Sequence, residues 1–223
     1  MQKSFGIVIF VALIGFAFCG QYCFQKLTDA QNAFNQALGI SSTLNWNNVD
    51  SLWNLVQTHY YSDPPYGFRQ VCSASKAYKS VLMADYMNCV RVIQLIRNDD
   101  FTATNVTLIN AMNYMALINS FDFTCGAGFG IYANSADCLS GVFQNSHEAL
   151  KQCRDNLNYQ LLNGSPTMAC TYVADSLNCT RTVFRPCGNT ADYFGCEYAR
   201  TPSISLFPSC ASVSTNCLIT NYQ

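Results

Sequence analysis

Charge is what this sequence has least of. Lysine, arginine, aspartate and glutamate together make up 11% of its 223 residues, against about a quarter in an ordinary soluble domain. Twelve basic and 13 acidic side chains leave a net charge of −1. No basic field exists to neutralise a phosphate backbone, so nucleic acid is not expected as a partner. Glutamate occurs only at Glu148 and Glu197, and histidine only at His59 and His147. No Cys-x2-Cys pair is present, which removes the usual zinc and dithiol redox spacings, and no metal or cofactor is expected. Neither histidine belongs to an HExxH motif, and no nucleophile elbow occurs. Beyond Phe18 no run of 18 apolar residues follows, so no membrane span is expected in the mature chain.

What replaces charge is neutral polarity on an apolar background. Half of the residues are hydrophobic and 13% are aromatic, while asparagine (21), serine (19), threonine (15) and glutamine (12) supply most of the polar surface. Such a chain is not intrinsically disordered, because it carries enough apolar area to offset the entropy of folding.

The N-terminus reads as a secretory signal peptide. Lys3 and the free amine form a short positive start, and Phe5 to Phe18 form an apolar run too short to span a bilayer comfortably. Small residues at 17 and 19 bracket Phe18, which places cleavage after Cys19. The expected organisation is therefore a cleaved leader, residues 1–19, and a single disulfide-rich helical domain, residues 20–223, secreted to the extracellular space. Twelve cysteines remain: Cys23, Cys72, Cys89, Cys125, Cys138, Cys153, Cys170, Cys179, Cys187, Cys196, Cys210 and Cys217. Their number predicts six disulfides in an oxidising compartment, with a connectivity that spacing does not choose.

Periodicity predicts a mainly α fold of several helices. Cys23, Leu27, Ala30, Phe34 and Leu38 recur every three or four residues and end at Gly39. Asn47 or Asn48 can cap a second helix carrying Val49, Leu52, Trp53, Val56 and Tyr60, which the run Tyr61-Ser62-Asp63-Pro64-Pro65 ends. Ser73 to Arg97 lacks glycine and proline and reads as one long helix, its stripe running through Tyr78, Leu82, Tyr86, Cys89, Ile93 and Ile96. Asn98-Asp99-Asp100 marks a turn, after which Thr104 can start a helix through Met115 and Leu117. Cys125 to Gly130 is a glycine-rich break. Shorter helices are expected over 134–143, 145–162, 167–184 and 191–198. From Thr201 the Ser- and Pro-containing sequence predicts an irregular tail stapled by Cys210 and Cys217, in which the alternation of Ser203 to Phe207 leaves room for a strand.

Few residues invite a chemical reading. Three sequons, at Asn105, Asn163 and Asn178, predict glycosylation of a secreted chain. Ser146-His147-Glu148 holds the residue types of a catalytic triad, but successive side chains on a helix diverge by about 100°, and a helix start with Glu148 near its positive end explains the triplet. Gly126, Gly128 and Gly130 miss the spacing of a dinucleotide loop. Tyr60, Tyr61, Tyr66 and Phe68 flank two prolines and form a candidate contact loop, either exposed to a partner or folded back over the helices.

The succession Cys153, Cys170, Cys179, Cys187 with Gly188 directly after resembles the secreted cysteine-rich nematode family grouped as domain of unknown function nineteen. The resemblance covers residues 125–196 and implies a secreted, disulfide-rich helical domain, with no catalytic residues to carry over. With no catalytic set spelled out, the sequence leans away from an enzyme and predicts an extracellular binding or structural protein, its partner another protein or a glycan. A carrier of a small apolar ligand, lined by phenylalanine and methionine, is the alternative. A hydrolase built from distant loops is a third.

Overall fold

The structure, a computed structural model, describes residues 23–97, 102–212 and 217. The expected leader and the Asn98-Asp99-Asp100 turn lie outside the described residues. The chain is an assembly of α-helices pinned by six disulfides. The described residues hold no strand, only an isolated bridge between Arg97 and Ala103. No helix among them is long and apolar enough to cross a membrane.

Helix α1 covers residues 23–38 and buries its predicted stripe from Cys23 to Leu38. Gly39 follows at φ +72°, a left-handed conformation that glycine adopts without a Cβ penalty. Asn45 then caps a short 3-10 turn, its side chain accepting from Asn47 N while Asn48 reciprocates toward Asn45 N. That turn leads into α2 (Val49–Ser62), and Asp63, Pro64 and Pro65 separate it from α3 (Tyr66–Leu82).

Here the single helix expected over 73–97 is corrected. It begins earlier, at Tyr66, and breaks at Met83, whose φ of +46° is incompatible with a continuing helix. After a 3-10 turn come two short pieces, α4 (Tyr86–Cys89) and α5 (Val92–Ile96). The apolar stripe changes phase across the break: Leu95 is buried and Ile93 is 46% exposed, the reverse of the uninterrupted pattern. Cys89 is drawn to Cys23 of α1, a tertiary tie that residue propensity does not encode.

Helix α6 (Leu108–Thr124) starts four residues later than expected because Thr107, not Thr104, caps it, accepting from Asn110 N. It is buried on nearly every side, and α2, α3, α5, α7 (Ala127–Asn134) and α11 (Asn189–Leu206) pack around it. Phe34 of α1 stacks on its Phe121, ring centroids 5.5 Å apart. The expected glycine-rich break shrinks to one corner: Gly126 precedes α7, and the helix runs straight through Gly128 and Gly130.

The remaining helices are α8 (Ala136–Asn145), α9 (His147–Asn163) and α10 (Ala169–Phe184). Helix α10 lies between α9 and α11, and α2 reaches across to α8. Gly195 marks the closest approach of α11 to α10, since a Cβ there would fall 2.5 Å from the Phe184 ring. The irregular tail expected from Thr201 is corrected too. Helix α11 continues through Pro202 to Leu206, burying Pro202 and Ser203, and only Phe207 onward leaves it, for a 3-10 turn at 208–212. Burial of that last turn outweighs the one backbone bond the proline forfeits.

The candidate contact loop is likewise mostly core. Tyr60 and Phe68 are fully buried, 4.6 Å apart, and Phe68 stacks on Tyr132 of α7 at 3.9 Å. Tyr61 is half-buried and Tyr66 alone stays exposed. Only three residues separate the two helices, so the aromatics on either side belong to helix faces that turn inward.

Candidate functional site: a cleft under helix α11

Five helices present polar groups to one narrow cleft, α10 through Ser176 and Thr180. On α9, Leu150, Arg154, Leu157 and Leu161 share one face, which puts a cation on an otherwise apolar stripe. On α2, Gln57 occupies the corresponding place among Leu52, Trp53, Val56 and Tyr60. Helix α6 adds Met112 and Asn113, and α11 adds Tyr198, Pro202 and Leu206. These side chains enclose a cavity of about 70 Å³ that opens to solvent on one side.

The floor is closely bonded. Trp53 Nε1 donates to the Asn113 carbonyl at 3.2 Å, and Asn158 Nδ2 donates to Asn113 Oδ1 at 2.8 Å. The Arg154 guanidinium lies 4.7 Å over the Trp53 ring and donates from Nη2 to Asp50 Oδ1 at 3.0 Å. Tyr198 meets Trp53 edge to face at 6.2 Å.

Two atoms of residues that line the cleft, Arg154 Nε and the Tyr198 hydroxyl, lie just beneath its surface, shielded from solvent and with no partner within hydrogen-bond distance. A buried donor left unsatisfied costs about 1–3 kcal/mol, so two among the residues of one cleft call for an explanation. Burial pushes the Tyr198 phenol well above its ordinary pKa, outweighing the Gln57 amide and the Arg154 charge, which both pull it down. Gln57 and Arg154 therefore both act on the Tyr198 hydroxyl. Pro202 has no N–H and cannot close the helical bond to the Tyr198 carbonyl, one turn back.

The residues singled out in the sequence fall elsewhere. His147 is exposed at the start of α9, its Nδ1 3.2 Å from the Gln144 carbonyl and its Nε2 3.3 Å from Glu148 Oε1. Ser146 precedes it without forming a side-chain cap. His59 is half-buried in the last turn of α2. Glu197 is buried but closed off by Arg200, which grips both its oxygens at 2.8 Å. Asp192 is buried between Arg181 and Arg185. Among the described residues no three His, Cys, Asp or Glu side chains cluster as a metal site would require. The sequon residues Asn105, Asn163 and Asn178 are all exposed, the last in the middle of α10 beside bridged Cys179.

A second, larger hollow of about 630 Å³ lies between the α4–α5 segment and the end of α11. Met87, 74% exposed, and Ile93 line it, and Met83, 77% exposed, precedes them in the chain.

Sequence reasoning missed Trp53, Gln57, Arg154 and Tyr198 as a set. The available signal was a polar residue in phase with an apolar stripe, at Gln57 on α2 and Arg154 on α9. No known protein family, curated protein or solved structure matches the chain.

Proposed function

We propose that this is a secreted, glycosylated binding protein that holds a small, mostly apolar ligand in the cleft beneath α11. The observation that carries the reading is the pair of unpartnered donors, Arg154 Nε and Tyr198 OH, buried in residues that line an otherwise largely apolar cavity. Ligand sites have this composition: apolar walls with a few convergent polar groups that fix orientation. Six disulfides support an extracellular address, since such frameworks persist where thiols are oxidised. The exposed sequon at Asn105 supports glycosylation, as does that at Asn163.

The test is the intact mass of protein secreted from a eukaryotic host, recorded under native, denaturing and reducing conditions. The expected result is an extra mass lost only on denaturation, glycan mass on the chain, and a gain of about 12 Da on full reduction of six bridges. Protein that is empty in every preparation overturns the ligand reading.

A second reading has its own observation. Met83, Met87 and Ile93 expose apolar area beside the larger hollow, and methionine-rich surfaces adapt to partners. An extracellular protein captured by crosslinking from Met87, and released by Met87→Asp, would support macromolecular binding there. The kinship of residues 125–196 with the nematode family is proposed as well. A member that pairs the cysteines matching Cys153 and Cys179 would support it.

A further inference from the structure

We infer that the cleft selects an aliphatic monocarboxylate, its headgroup seated against Arg154 Nε and the Tyr198 hydroxyl. This rests on the reading of the cleft as a ligand site and names the chemistry that site prefers.

The argument starts from what the floor offers. Arginine Nε–H can only donate, and the Tyr198 hydroxyl, held as a neutral phenol by burial with the Gln57 amide nearby, has no acceptor within hydrogen-bond distance. Gln57 adds an amide beside them. Two unpartnered donors on one floor ask for an acceptor, and a carboxylate presents two oxygens with no proton of its own. Among the described residues no aspartate or glutamate lines the cleft. Asp50, outside the lining, accepts from Nη2 on the same edge of the guanidinium as Nε, and Lys151, 3.9 Å from it, offsets part of its charge.

Charge and size narrow the class. A cation would meet Arg154 head-on, and the face of Trp53 is already covered by the guanidinium. A dianionic phosphate would bring two charges to a single arginine already shared with Asp50. A neutral apolar molecule would leave both donors unsatisfied. The cavity of about 70 Å³ accepts a carboxyl group with a few methylenes, being smaller than the roughly 150 Å³ that holds benzene. The rest of the tail would lie along Met112, Leu161, Leu206 and Phe207 toward the open side. Both donor atoms are shielded, so seating the headgroup requires neighbouring side chains to shift.

The experiment uses the full mature protein and three probes of one chain length: octanoate, octanol and octylammonium. Binding is followed by calorimetry and by tryptophan emission, since Trp53 lies in the cleft. Octanoate is expected to bind at least about tenfold more tightly than octanol, the loss of one charged hydrogen bond, with octylammonium weakest. Tyr198→Phe should weaken octanoate about tenfold and leave octanol unchanged. Tyr60→Phe removes another buried hydroxyl, outside the cleft, and should change neither. If octanol binds as well as octanoate, or Tyr198→Phe weakens both alike, the carboxylate inference falls while the ligand site stands. If none of the three binds and the secreted protein is empty, the ligand site itself falls.

Discussion

The chain before Gly126 and the chain after it solve the same problem differently. The first part, α1 to α6, carries two disulfides that close long loops, Cys23–Cys89 over 66 residues and Cys72–Cys125 over 53. The second, α7 to α11, carries four, closing loops of 49, 26, 40 and 21 residues. No bridge joins the two parts. The first part has a helix, α6, buried almost all round, and a buried polar network in which the Tyr114 hydroxyl donates to Gln31 at 2.6 Å and lies 3.3 Å from Tyr78. In the second part, the outer face of α10 rests on a small separate cluster of Val173, Leu177 and the half-cystine Cys210. What unites the parts is aromatic packing: Tyr60 and Phe68 from one side meet Tyr132 and Phe143 from the other, and Phe184, Phe194 and Tyr198 pack in turn behind Phe143.

High pH should break both parts at once. Burial holds the phenols of Tyr60, Tyr78, Tyr86, Tyr114, Tyr132 and Tyr198 above their ordinary value. A group with a raised folded pKa keeps its proton in the native state while the unfolded chain releases it. Stability is therefore full below about pH 10 and falls as pH rises past it, by about 1.4 kcal/mol per pH unit for each phenol. Beyond the exposed phenols such as Tyr66 and Tyr159, the phenolate absorbance of the six buried rings should rise in one steep step together with the loss of far-ultraviolet circular dichroism. Phenolate equivalent to nearly all the tyrosines appearing well before helix loss would contradict the burial of these rings.

Phe143→Ala strikes the junction, where this ring contacts Tyr60, Phe184 and Tyr198. A loss of about 3–5 kcal/mol is expected in denaturant melts. Separate transitions for the two parts would sharpen the comparison, and a loss below 1 kcal/mol would mean the junction is not what joins them.

The bridges test how each part is held. Loop closure alone assigns about 4 kcal/mol to Cys23–Cys89 and about 3.5 kcal/mol to Cys153–Cys179. Replacing both cysteines of Cys170–Cys210 by alanine should cost about 4 kcal/mol from loop closure, and should raise amide exchange in α10 and in residues 207–212 while α6 stays protected. Equal deprotection of α6 would erase the distinction drawn between the parts.

The smallest effect expected is that of Tyr86→Phe. Its hydroxyl is buried without a partner, so removal should leave the melting temperature unchanged or raise it, by at most about 1 kcal/mol of stability. A marked loss would show that this hydroxyl is bonded.

The sequence was most readable where helix and stripe coincide. Cys23 to Leu38 are buried as the spacing required, and the stretches around α8, α9 and α10 end within about two residues of their predicted limits. It failed where tertiary contacts override local preference. Met83 breaks a segment with no glycine or proline, Pro202 sits inside a helix, and Gly128 and Gly130 are helical. The cleft was illegible for a related reason: Gln57, Asn113, Arg154 and Tyr198 come from four helices and meet only through packing.

The sequence by itself determined that the chain is helical, rich in buried aromatics, short of charge and cross-linked at twelve cysteines, because composition and period-3.6 patterning are local properties. The tertiary structure decided which cysteines pair, that the Tyr60 and Phe68 rings turn inward, and that Arg154 and Tyr198 share one floor. Those outcomes depend on how helix faces meet, and a one-dimensional pattern specifies the face but not its neighbour.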